Sequence, residues 1–129
     1  MDEIEFRNLA TWTEGSPYSD IVIADGFAYL AGKVAADAPL DQELGDIEYE
    51  TRRCLELLRD SLKLAGLDMS DIVKVTVYMK HLQEFDSMNA VYRLFFEEGR
   101  TPARTTIGVA DILFGCRIEI DCVARLRNA

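Results

Sequence analysis

The chain has a single histidine, His81, only three cysteines, Cys54, Cys116 and Cys122, and no basic run longer than the pair Arg52-Arg53. Each shortage closes off some chemistry. A Ser-His-Asp or Cys-His hydrolase would have to use His81, and no nucleophile motif accompanies it. Its place between a strand-like and a helix-like segment suits a turn or cap instead. One histidine and scattered cysteines make no cluster with metal-ligand spacing, so no metal is expected. Three thiols without a pairing pattern read as reduced cysteines of a cytoplasmic protein. Cys116, in a loop, is expected to be the most exposed of them. With a net charge of −9 and no basic patch, the chain repels phosphate backbones, which argues against a nucleic-acid partner. The first residues, Met1-Asp-Glu-Ile-Glu, carry neither the basic nor the apolar region of a secretory signal. No apolar stretch approaches the length of a membrane span.

What is present is ample for a core. The 129 residues are 49% hydrophobic, enough for one domain over 1–129. Ile4 and Phe6 alternate with acidic neighbours and predict a short strand. Residues 11–19 read as a loop. Ile21–Ala24 and Phe27–Ala31 flank Asp25-Gly26, a hairpin signal, because Gly accepts the positive φ of a type I′ turn. Gly32–Gly45 reads as a second loop. Asp46 can cap a helix reaching Ala65, with Gly66 as its stop and Leu55, Leu58 and Leu62 on its apolar face. The acidic residues Glu48, Glu50 and Glu56 read as that helix's solvated side. Ile72–Met79 predicts a strand with Val73, Val75, Val77 and Met79 on one face and Ile72, Thr76 and Tyr78 on the other. A second helix is expected from Leu82 or Asp86 to Glu98, with Phe85, Met88, Tyr92, Phe95 and Phe96 as a core stripe. Two strands close the chain, Thr105–Val109 and Arg117–Leu126. The last alternates cleanly, with Ile118, Ile120, Cys122 and Ala124 facing one way and Glu119, Asp121 and Val123 the other. This order predicts an α+β fold, two helices packed on one face of a mixed sheet. The other face mixes apolar and charged residues and suits contact with further subunits.

The words Thr101-Pro-Ala-Arg104-Thr-Thr106 and Arg117-Ile-Glu119-Ile-Asp121 carry the chemistry. An arginine fork grips a carboxylate with two parallel hydrogen bonds, and a nearby glutamate can orient or deprotonate a water. If these two strands pair as a hairpin, both charges line one pocket. Each residue also has a plainer reading: Arg104 as an interface ion-pair partner, Glu119 as part of a charged sheet face. Tyr18, after Pro17 in a loop, would ordinarily be a packing aromatic. Asn89, a poor helix former inside a helix, hints at a role that compensates.

With Gly15-Ser-Pro-Tyr18-Ser, Leu30-Ala-Gly32, Gly66-Leu67, the strand Asp71-Ile-Val-Lys-Val-Thr-Val-Tyr and Met88-Asn89-Ala-Val-Tyr, these words lie in one order over nearly the whole chain. In that pattern the sequence resembles the Rid (YjgF-type) reactive-intermediate deaminases. The resemblance implies a chorismate-mutase-like α+β fold and a homotrimer whose sheets form an inner β-barrel, with sites at the subunit interfaces. It implies hydrolysis of enamines and imines of the 2-aminoacrylate and 2-iminopropionate type to 2-keto acids and ammonia, without metal or organic cofactor. It places the carboxylate-binding role on Arg104 and the water-orienting role on Glu119. Substrate-binding roles fall on Tyr18, Gly32, Asn89 and the backbone of Thr106, with Tyr18 from a neighbouring subunit. Two departures stand out: Ala31 replaces a small polar residue before the glycine, and Leu113 replaces a proline in the Asp111–Cys116 loop. They leave room for two alternatives, a non-catalytic trimer that binds small carboxylates and a catabolic deaminase of a larger unsaturated amino acid. An RNA-cleaving activity fits the charge and the single histidine least.

Overall fold

A computed structural model describes residues 3–127; Met1 and Asp2, which open the acidic N-terminal stretch, lie outside the described residues. The six strands are β1 (Glu5–Arg7), β2 (Ile21–Ala24), β3 (Phe27–Lys33), β4 (Ile72–Met79), β5 (Ala103–Gly108) and β6 (Ile118–Arg125), and the two helices are α1 (Ile47–Lys63) and α2 (Phe85–Tyr92). The strands form one sheet in the order β1-β2-β3-β6-β4-β5. All neighbours are antiparallel except β4 and β5. Both helices pack on one face, where Leu55, Leu58, Leu62 and Met88 meet Val75, Val77, Ile118 and Ile120 in the main core. The expected α+β class and layer arrangement therefore hold.

Local chemistry explains most boundaries. Asp25 and Gly26 have φ of 51° and 87°, the two left-handed residues that a type I′ hairpin needs. Asp46 caps α1, its Oδ1 accepting from the Glu48 and Tyr49 amides at 2.9 and 3.1 Å. After α1 the chain turns at Gly66, φ 70°, and the Leu67 amide returns to the Leu62 carbonyl at 3.0 Å.

Several expectations need correction. β5 and β6 do not form a hairpin: β4 lies between them, pairing parallel with β5 and antiparallel with β6. The segment β4-α2-β5 is a strand–helix–strand crossover, the connection that parallel neighbours require. In β4 a register shift between Ile72 and Lys74 turns Ile72 into the core and leaves Val73 exposed, reversing the expected faces at that end. α2 stops at Tyr92 and continues as a short 3-10 turn, Arg93–Phe95, instead of reaching Glu98. Phe85 at its start is not core but partly exposed. β3 runs on through Gly32 to Lys33, with a register shift after Leu30.

Two buried polar groups were not anticipated. Glu50 is fully buried, not solvated; its carboxylate accepts from the Gly45 and Arg117 amides, both at 2.8 Å, and ties the loop before α1 to the start of β6. Such backbone hydrogen bonds make a buried carboxylate tolerable. Lys33 and Asp20 form a buried ion pair at 2.7 Å, and the other Asp20 oxygen accepts from the Leu9 amide at 2.8 Å. Cys116 is buried with Val34 and Ile112 in a second small cluster, so the most exposed thiol expected from its loop position is in fact enclosed. Burial raises the pKa of Cys54, Cys116 and Cys122, the last to about 12, which suits inert packing thiols.

Candidate active site

Arg104 lies on β5 opposite Val75, and Thr106 opposite Val77, so both side chains share the helix-facing side of the sheet. The Arg104 guanidinium donates to Asn89 Oδ1 at 2.7 Å. It lies over the Tyr92 ring at 4.7 Å and the Phe85 ring at 5.5 Å. Helix α2 thus supplies a cradle of one amide and two π faces. The mid-helix asparagine is explained: its oxygen takes one guanidinium nitrogen and orients the fork. A cation over aromatic faces gains electrostatic stabilisation without being neutralised, so the guanidinium keeps its charge for an anion. The cleft beside it, about 400 Å³, is lined by Asn89, Tyr92, Arg93, Thr101, Pro102 and Arg104. Burial pushes the Tyr92 phenol up to about 12 against the opposing pull of the adjacent Arg104 guanidinium, and the buried Thr106 hydroxyl has no hydrogen-bond partner among the described residues. β5 is an edge strand, hydrogen-bonded only to β4 among the described strands.

Glu119 belongs to a different place. It pairs with Tyr78 on the open face of the sheet, opposite in side and two strands away from Arg104. Its cleft of about 350 Å³ includes Tyr18, Ala31, Gly32, Asp37, Leu113 and Phe114. Burial raises its pKa above the ordinary glutamate value, and the carboxylates of Asp121 and Asp37 add to the effect. No basic side chain is hydrogen-bonded to it among the described residues. The irregular stretch of β3 brings Gly32 against this carboxylate, where any Cβ would overlap the Glu119 oxygen. Glycine here leaves room for the Glu119 carboxylate in its present place, and it is not needed for its torsion angles.

Tyr18 is half exposed, and its loop is well tethered. The Trp12 indole donates to the Tyr18 carbonyl at 2.8 Å, the Asn8 side chain accepts from the Asp20 amide at 2.8 Å, and the Lys33–Asp20 pair anchors the loop's end. On the far rim, Leu113 and Phe114 stand 66% and 70% exposed. Phe114 has φ 60° and ψ 19°, a left-handed conformation that costs a bulky residue about 1 kcal/mol or more. Among the described residues no three His, Cys, Asp or Glu side chains gather as a metal site.

The expected site residues thus divide into two groups. Tyr18, Gly32 and Glu119 come together; Arg104 and Asn89 come together elsewhere, with Thr106 on the same side of β5. The sequence reading missed Phe85 and Tyr92 as supports for Arg104, assigning both to the core stripe. Their spacing relative to Asn89, at four before and three after, puts all three on one helical flank and was the available signal.

A family model described as Endoribonuclease L-PSP matches residues 11–126. The chain belongs to this family. Its relatives include a RutC family protein of Pyrococcus horikoshii, 36% identical over 125 residues that make up 96% of this chain and 98% of that one. The human protein named 2-iminobutanoate/2-iminopropanoate deaminase is 34% identical over 109 residues, 84% of this chain and 79% of its own length. Among solved structures, the YjgF gene product of E. coli superposes with a TM-score of 0.79 at 30% identity, covering 88% of this chain and 91% of that one. One from Thermotoga maritima, titled a putative endoribonuclease, gives 0.85 at 28% identity over 96% and 98%. The family thus gathers proteins named as imine deaminases and others named as endoribonucleases. No described helix is long and apolar enough to cross a membrane.

Proposed function

We propose that this protein is a cofactor-independent deaminase that hydrolyses 2-imino and enamine acids to 2-keto acids and ammonia. The observation that carries the reading is the coexistence of a guanidinium held ready for an anion and a glutamate of raised pKa with no basic partner. Relatives named as imine deaminases support it. In this reading the substrate carboxylate docks on the Arg104 fork, and the Thr106 backbone on the edge strand helps hold it. Glu119 takes a proton from water as the water oxygen bonds to the imine carbon. The C=N π pair moves to nitrogen, which is protonated. The carbinolamine then collapses: its hydroxyl proton passes through Glu119 to the amino nitrogen, the C–O π bond forms, the C–N bond breaks, and ammonia leaves with the C–N electron pair. An enamine enters the same path after protonation at C3. A glutamate whose pKa is raised toward neutrality both accepts and returns a proton more readily than an ordinary one.

Because Arg104 and Glu119 sit on opposite sheet faces, one copy cannot close the site around a small substrate. We therefore assign the working site to an interface, with Arg104, Asn89 and Thr106 from one copy and Glu119, Gly32 and Tyr18 from its neighbour. The partly exposed Phe27, Tyr29, Val73 and Ile107 favour assembly through the open face, and a homotrimer around an inner barrel is the arrangement proposed. A cytoplasmic setting belongs to the same reading, supported by three buried free thiols.

Ammonia release from freshly generated 2-iminopropionate tests the reaction: wild type accelerates it, and Arg104→Ala and Glu119→Gln do not. Co-assembling the two inactive variants tests the interface. A shared site restores about a quarter of the wild-type rate, since one interface in four receives both intact halves. Mixtures that stay inactive would place both groups in one copy. A wild type that binds 2-keto acids without releasing ammonia would instead mark a binding protein.

A further inference from the structure

A third cleft lies on the helical side of the molecule, apart from both groups of site residues. The end of α1 supplies one wall through Arg59 and Lys63, and the segment from Leu94 to Arg100 supplies another, around a space of about 450 Å³. Its charged residues are three cations, Arg59, Lys63 and Arg100, and two carboxylates, Asp68 and Glu97. Both carboxylates are engaged. Asp68 Oδ1 accepts from the Met69 amide at 2.7 Å, and Glu97 faces Arg100 at 3.7 Å. Arg59 and Lys63 have no carboxylate partner among the described residues. That is unexpected in a chain where acids outnumber lysines and arginines by 23 to 14.

The setting of Arg59 matches that of Arg104. Its guanidinium lies over the Phe95 ring at 4.9 Å, as that of Arg104 lies over Tyr92 at 4.7 Å. Arg52 also lies over a ring, but Glu56 neutralises it. An aromatic seat fixes the fork and leaves its N–H groups for an anion. Lys63, four residues on from Arg59, stands on the same flank of α1. A cation in the last turn also complements the helix dipole, but that explains neither the aromatic seat nor the apolar part of the cleft. There Met69 is buried, Phe96 is half-buried and Leu94 stands 79% exposed. Phe96 also reaches the Arg104 cleft. Its ring packs on that of Tyr92 with centroids 4.8 Å apart, and Tyr92 is one of the rings under Arg104.

We propose that this cleft is a second, regulatory anion site. Its ligand is an organic carboxylate or phosphate monoester with an aromatic body. The head meets Arg59 and Lys63, and the body covers Leu94 and Phe96. A ligand bound there adds negative charge and bears on Tyr92 through Phe96, so it weakens the hold of Arg104 on a substrate carboxylate. Glu119, on the other face of the sheet, is unaffected. The ligand therefore raises KM and leaves kcat alone. Binding stands independently of the deaminase reading; the effect on KM rests on it.

The probes are 3-phenylpropionate and phenyl phosphate, with 3-phenylpropan-1-ol as the neutral control. Titrated into wild type, at least one anion shifts the Leu94 methyl NMR signals to saturation, and the tighter of the two names the head group. The alcohol does not shift them. Arg59→Gln and Lys63→Glu, the second at an exposed side chain, each weaken binding by about tenfold or more, as loss of a charged hydrogen-bond partner does. Leu94 signals that do not move, or equal affinity in both variants, overturn the proposal. At saturating probe, KM for 2-iminopropionate rises about fivefold to a plateau with kcat unchanged, and the rise is absent in Lys63→Glu. A KM that stays constant overturns the regulatory role. So does a rise without a plateau, or one that persists in Lys63→Glu, since either marks competition at Arg104. If wild type releases no ammonia, the deaminase reading fails, and the calorimetric affinity for pyruvate replaces KM with the same outcomes.

Discussion

Around Arg104 every contact favours the charge: Asn89 accepts one of its protons and two aromatic rings face the guanidinium. Around Glu119 the surroundings oppose the charge: partial burial and two neighbouring carboxylates raise its pKa. On the proposed reading the first cleft serves as an anchor and the second holds the reactive group, which gives a reason for their lying apart. An arginine packed against Glu119 within one copy would form an ion pair and lower the carboxylate pKa, opposing the rise that burial produces. On that reading, their separation keeps each charge uncompensated by the other until substrate binds.

The largest effects should come from the two charges. Glu119→Gln removes the proton acceptor and should lower kcat by about 10²–10⁴-fold, as loss of a general base does, with little change in KM. Arg104→Ala removes the anchor, and kcat/KM should fall by roughly 10²–10³-fold, the scale of truncating a hydrogen-bonded charge pair. That loss should appear chiefly in KM. If both variants fail in the same parameter, the division into anchor and reactive group is wrong. Gly32→Ala sharpens the comparison, because the nearest atoms its new methyl would meet belong to the Glu119 side chain. Activity should drop by about 10²-fold, as a displacement of an ångström can produce, while the melting temperature barely moves. A matching loss of stability would show that Gly32 serves packing.

Lys33→Met leaves Asp20 buried without its cation and should destabilise the fold by about 3–5 kcal/mol in a denaturant titration, loosening the loop that carries Tyr18. The smallest effect is a pH dependence. The folded-state pKa of Glu119 lies above its unfolded value, so the native state holds the proton longer as pH rises. Wild type should therefore lose stability relative to Glu119→Gln as pH rises from about 4, the ordinary glutamate range, through the raised folded-state pKa, with the two alike at the acid end. A gap in melting temperature that stays constant across that range would mean that Glu119 is not held in a raised state.

Much of the fold was legible because its signals are local. The Asp25-Gly26 turn, the Asp46 cap, the stop at Gly66 and the alternation of Ile118 to Ala124 each depend on residues a few positions apart. The misjudged features depend on distant ones. Glu50 looked solvated because its partner, the Arg117 amide, lies 67 residues along the chain. Cys116 looked exposed because the Val34 and Ile112 that enclose it become its neighbours only in the folded state. The β5–β6 hairpin was inferred from adjacency, the usual arrangement, but α2 is long enough to carry the chain back over the sheet and set β5 parallel to β4.

The same division runs through the site. By itself the sequence determined the residue types, the family pattern and the helix and strand on which Asn89, Arg104 and Glu119 ride, since periodicity, capping and turn chemistry act over a few residues. Only the tertiary structure decided that Arg104 rests on Phe85 and Tyr92, that Gly32 abuts Glu119, and that the two charges face opposite ways. Those outcomes follow from which strand lies beside which, and strand order is set by burying one continuous apolar face against two helices, a property of the whole chain.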